Sequence, residues 1–177
     1  MVDTKGAYGF CEYVHEKFGS EEIDRYNNSY VKPGQHGWAD QEMGRPVDKS
    51  LKYAMQRGSV RRIKYEKTPH AVTATVFCRT EAGDDYLLSY TLEDSSPYVE
   101  IGWSLRNKPA EPQPEAGWLA FPFNVDQPTF RLGRTGGIVN PAKDFVKNTN
   151  HDYYFVNTGL AVLNHQGEGF GLNTPNA

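Results

Sequence analysis

The sequence predicts an all-β chain, a sandwich of antiparallel strands with a short helical segment at its N-terminus. Three observations carry that expectation. Aromatics make up 13% of the 177 residues, with eleven Tyr and nine Phe, and aromatic side chains favour strands. Seventeen Gly and eleven Pro supply many turns. From residue 59 the apolar residues recur with a period of two, the repeat of a half-buried strand. Three segments are expected: a helical lead-in over 1–33, a connector over 34–58 and the β-sandwich over 59–177.

The lead-in reads as two short helices. Phe10, Tyr13, Val14 and Phe18 follow the i, i+3, i+4, i+8 spacing of one helix face. Gly19 breaks the run and Ser20 can cap the second helix. Glu21 and Glu22 then occupy a first turn, where the helix dipole favours acids. Ile23, Tyr26, Tyr30 and Val31 form a second apolar stripe, ended by Pro33-Gly34. Helices this short need packing to persist. Their aromatic faces, Phe10, Tyr13, Phe18, Tyr26 and Tyr30, lie either on the sandwich or against a domain outside this sequence.

Residues 34–58 show no sustained period and carry Gly34, Gly37, Gly44, Pro46 and Gly58 among charges, the pattern of a surface connector. Arg61-Arg62-Ile63-Lys64 reads as a strand with a solvated, charged face. Val72, Ala74, Val76 and Cys78 alternate next, then Tyr86, Leu88, Tyr90 and Leu92, then Val99, Ile101, Trp103 and Leu105. Ala82-Gly83-Asp84 and Glu93 to Pro97 supply the turns, so these strands form an antiparallel meander. A Pro-rich connector runs from Asn107 to Pro114. Strands are expected again over 115–123, over 153–163 and from Phe170, with a Gly-rich turn at Gly133 to Gly137.

Several function classes receive no support. The formal net charge of -3 offers no footprint for nucleic acid. No run approaches the roughly 18 apolar residues of a membrane-spanning helix, and no signal-peptide pattern is visible. Cys11 and Cys78 neither demand a disulfide nor match a zinc spacing. One glycosylation sequon occurs at Asn27-Asn28-Ser29. No nucleophile elbow or phosphate loop is present. The histidines look isolated, and acid pairs such as Asp84-Asp85 read as solvated turn residues. No catalytic or metal residue is assigned.

The candidate site lies in 112–157. Glu115 precedes an aromatic strand that contains Trp118, and a carboxylate beside an indole can bind a sugar. Arg134 sits in the Gly-rich turn, where its guanidinium could clamp a carboxylate or a hydroxyl. His151, Asp152 and Tyr153 open the next expected strand. If the strands over 115–123 and 151–157 are neighbours, all six residues gather along one sheet edge as a substrate-binding surface.

The segment PEAGWLAFPF and the later NHDYYFVNTGLAV, within Pro114 to Val162, resemble the post-catalytic β-sandwich of alpha-mannosidase-type glycoside hydrolases, glycoside hydrolase family 38 and its relatives. YGFCEYVHEKFGSEEIDRYNNSYVK, Tyr8 to Lys32, is similar to the helical segment joining barrel to sandwich in those enzymes. The resemblance implies a galactose-mutarotase-like supersandwich. It also implies that the nucleophile and the zinc ligands lie in a catalytic barrel outside this sequence, so no cofactor is assigned here. The expected partners are that barrel, as part of the same polypeptide, and carbohydrate. Two other readings are a free-standing carbohydrate-binding module and a mutarotase-like enzyme using Glu115 as base and His151 as acid.

Overall fold

A computed structural model describes residues 2–30, 50–81, 83–149, 151 and 153–174, with Tyr30 described for its backbone alone. The described chain is all-β and antiparallel, with one α-helix. It divides into two compact units, Tyr8–Phe121 and a second made of Met1–Ala7 with Pro122–Ala177. The divisions fall between Ala7 and Tyr8 and between Phe121 and Pro122.

The larger unit holds β1 (Glu12–Lys17), α1 (Ser20–Tyr30), β2 (Ala54–Lys67), β3 (Ala71–Thr80), β4 (Asp85–Glu93), β5 (Val99–Arg106) and β6 (Glu115–Ala120). Strands β3, β4 and β5 form the expected three-stranded meander at the period-two stretches of the sequence, and β2, which holds the Arg61–Lys64 run, extends it. β2 starts at Ala54, inside the span expected as connector; residues 34–49 of that span lie outside the described residues. The sheet order is β5-β4-β3-β2-β1-β6.

The first expected helix is a strand. β1 lies between β2 and β6, with Val14 opposite both Arg57 and Trp118. Its alternation is blurred, because Tyr13, Val14 and His15 are all buried, Val14 between neighbouring strands on the outer face. Four apolar residues in a short window fit a helix period by coincidence, and pairing with two neighbours decided the outcome. Of the aromatic face expected there, Tyr13 is core and Phe10 packs against it. The second helix is α1. Its start is held by Gly19, whose N–H donates to Glu22 Oε2 at 3.0 Å, the carboxylate half of a capping box.

The sheet curls strongly. β1 and β5 are four strand spacings apart in the order, which in a flat sheet would be about 19 Å. Yet the rings of Tyr13 and Trp103 are 5.5 Å apart, and those of Tyr13 and Tyr86 are 5.3 Å apart. The register shift between Val60 and Arg62 marks a bulge in β2, a device that bends and twists a strand. The concave face so formed holds Cys11, Tyr13, Cys78, Tyr86 and Leu88, with Ile101, Leu105 and Leu119 against them. Two glycines make room for the rings: a Cβ on Gly58 would collide with Tyr86, and one on Gly117 with Tyr13.

The smaller unit holds β7 (Thr129–Arg134), β8 (Gly137–Val139), β9 (Gly159–Leu163) and β10 (Gly169–Asn173), in the order β10-β9-β7-β8. Leu132 and Val162 are its buried hydrophobic residues among those described, and Phe123 stacks on Phe170 at 4.6 Å. Gly136, at φ 87, lets the β7–β8 hairpin close over two residues. The strand expected over 153–157 is not formed. The described residues there are irregular until β9 begins at Gly159, and Phe155 is 77% exposed.

Candidate functional site

The inner face of the larger unit ends in a cluster of polar side chains. β1 sends Tyr13, His15 and Lys17 to this face, and β6 sends Glu115, Gly117 and Leu119, because side chains alternate across a strand. His15 is 3% exposed. Its Nε2 lies 2.9 Å from Glu115 Oε2, and its Nδ1 lies 3.3 Å from Asp84 Oδ2. Asp84 is 1% exposed and reaches the ring from the β3–β4 turn, where its backbone N–H donates to Thr80 Oγ1. Lys108 caps the other oxygen of Glu115, and Lys17 pairs with Glu111 alongside.

Burial pushes the Glu115 carboxyl up, but the hydrogen bonds from Lys108 and His15 and their charges together outweigh it and hold the group below its ordinary value. Such a carboxylate is a weak base. Asp84 and Glu115 address opposite nitrogens of one ring, so the three side chains do not converge on a single ion. Among the described residues no group of three His, Cys, Asp or Glu is placed to hold a metal. The chemistry the cluster can do is cohesive. An imidazole between two carboxylates ties β1 to its neighbour β6 and also to the β3–β4 turn, whose strands are not neighbours of β1 in the sheet. Both Asp84 oxygens, His15 Nδ1 and Gln56 Oε1 are buried without a hydrogen-bond partner, so the Asp84 carboxyl depends on the nearby imidazole for compensation.

The outer face of the same strands is open. Glu12, Val14 and Glu16 of β1 lie beside Arg57 and Met55 of β2 and Trp118 and Ala120 of β6. Trp118 is 51% exposed, and its indole N–H donates to Glu16 Oε2. The Tyr53 hydroxyl donates to Glu16 Oε1 at 2.5 Å, a bond that pushes the Tyr53 phenol up to about 12. Arg57 forms two 2.6 Å bonds to Glu12 and lies over the Tyr8 ring at 5.3 Å. Tyr8, Val14, Glu16, Met55, Trp118 and Ala120 line a groove of about 290 Å³.

The residues expected to form one site are distributed differently. Glu115 and Trp118 belong to the same strand but, three positions apart, face opposite sides of the sheet. The carboxylate beside the indole is Glu16 instead. The 115–120 strand pairs with β1, not with 151–157. In the smaller unit, Arg134 lies over the Phe145 ring at 5.5 Å, and His151 meets the same ring edge-on at 6.1 Å. His151 Nδ1 is 3.2 Å from the Tyr154 hydroxyl. Arg134 and His151 therefore share an aromatic neighbour, Phe145, that the sequence reading did not single out. Tyr153 is 53% exposed, and Asp152 lies outside the described residues.

His15, Asp84 and Glu16 are the residues that sequence reasoning missed. Asp84 looked like half of a solvated acid pair, and it is nearly sealed. The available signal was parity: once residues 12–17 are read as a strand, Tyr13, His15 and Lys17 fall on one face and Glu16 on the other. No protein-family model, curated protein or solved structure matches this chain.

Proposed function

We propose that this chain is a non-catalytic β-sandwich portion of an alpha-mannosidase-like glycoside hydrolase, galactose-mutarotase-like in fold. In this reading it supports the catalytic barrel of the same polypeptide and lends contacts to carbohydrate. The support is the resemblance of its Pro114–Val162 and Tyr8–Lys32 segments to that region, together with one structural observation. The acid–base residues of the curled sheet, His15, Asp84, Glu115 and Lys108, are engaged with one another around a buried imidazole. A general base needs reach to a substrate proton and a value near the working pH, and Glu115 has donors on both oxygens and a lowered value. That weighs against the mutarotase reading, in which Glu115 is the base. Zinc chemistry, in this reading, belongs to the barrel.

The experiment is to determine the reading frame on both sides of this segment and to assay the isolated chain. An upstream barrel carrying acidic and His motifs is expected, as is no hydrolysis of aryl alpha-mannosides with added zinc. Turnover by the isolated chain that vanishes in Glu115→Gln would refute the proposal. An isolated reading frame would leave the free-standing carbohydrate-binding module in its place.

A further inference from the structure

The outer-face groove combines features that the inner cluster lacks. Its floor is apolar, from Val14 and Ala120. One wall is the half-exposed indole of Trp118, whose N–H is already committed to Glu16. That bond turns the indole's N–H edge toward Glu16, and the half-exposed ring leaves area for stacking. Glu16 is held at both oxygens, by Trp118 and by Tyr53. A carboxylate has about four acceptor positions, so two remain for donors from solvent or a ligand. An aromatic face beside a fixed acceptor is preorganised for a ligand with one C–H face and a rim of hydroxyls.

We propose that this groove binds a single pyranose ring, stacked on Trp118 and donating hydroxyl hydrogen bonds to Glu16. The proposal rests on the carbohydrate part of the reading above and relocates the contact. The sugar meets the outer face through Glu16 and Trp118, and Glu115 behind the sheet takes no part. An organic cation is the rival occupant, since the Trp118 face and the Glu16 carboxylate would both attract it, although the Tyr8 ring is already occupied by Arg57 at 5.3 Å. An anion would face the Glu16 carboxylate. A long apolar or oligomeric ligand would exceed a groove of about 290 Å³, which sits at the small end of ligand sites, about 300 to 1,000 Å³.

The test monitors the Trp118 indole N–H resonance of the ¹⁵N-labelled full chain during titration with methyl alpha-D-mannopyranoside, methyl alpha-D-galactopyranoside or choline chloride. Saturable shifts with at least one pyranoside in the millimolar range are expected, with Trp103 unmoved and no response to choline. Glu16→Gln keeps one acceptor for the indole and should weaken binding about tenfold, the loss of one charge-assisted bond. Trp118→Ala, read through the ligand's own saturation-transfer signal, should abolish binding while dispersed amide spectra report an intact fold. Glu115→Gln, if folded, should bind as the parent does. The proposal is overturned if neither pyranoside shifts the resonance, if choline shifts it more, or if Glu16→Gln binds unchanged. Failure here leaves the reading-frame and turnover tests of the parent proposal standing. Sugar binding by a chain encoded without a barrel would sink the parent proposal alone.

Discussion

Replacing His15 with Leu should be among the most damaging single changes in the larger unit. The imidazole lies 3.3 Å from Asp84, whose two oxygens are buried and accept no hydrogen bond. Without it, the carboxyl would be left unpaired in a dry site, and breaking a buried pair by removing one partner costs about 3 to 5 kcal/mol. Glu115 adds little to this cost, because it keeps Lys108 and is 19% exposed. Urea unfolding at pH 7 should therefore show His15→Leu destabilised by about 4 kcal/mol with an unchanged slope. The double variant His15→Leu/Asp84→Leu should recover most of that loss, since apolar pairs replace buried ion pairs at small or no cost. A single-variant loss under about 1 kcal/mol, well below that range, or a double variant no better than the single, would refute the claim that the imidazole compensates Asp84.

Two further outcomes are expected. Salt-bridged Glu12, held low first by its hydrogen bonds from Arg57, and Glu111, held low first by Lys17, join Glu115 below their ordinary values. Their contribution is fully present above the ordinary carboxylate range and is lost as pH falls through the lowered folded values. Urea midpoints should therefore decline progressively below about pH 5, and Glu115→Gln should flatten that decline; a midpoint independent of pH down to 3 would contradict it. Burial pushes the Cys11 thiol up to about 11 and Cys78 upward as well, and both are buried. Iodoacetamide at pH 8 should label neither in the folded chain and both in urea, and rapid native labelling of Cys11 would show that its site opens.

The strands from β3 to β5 were legible because each exposes one face and repeats with period two, a property carried by the residues themselves. The turns at Gly83 and Gly136 were legible for the same local reason: positive φ selects glycine. β1 was not legible. Its apolar residues fit a helix spacing, and only pairing on both sides by β2 and β6, which start about forty and a hundred residues later in the chain, makes it a central strand. The candidate site obeys the same division. Trp118 stood out by type, but its partner could not be read from its neighbours, since Glu115 is three residues away and Glu16 is across a strand pair. Asp84 was indistinguishable from a solvated turn acid until curling of the sheet brought the β3–β4 turn onto His15. Local sequence determined which segments could be strands and where they turn. The order of the strands, the curl and the choice of face arise from contacts between residues remote in the chain, and these decided which acid is sealed beside an imidazole and which is left beside an open indole.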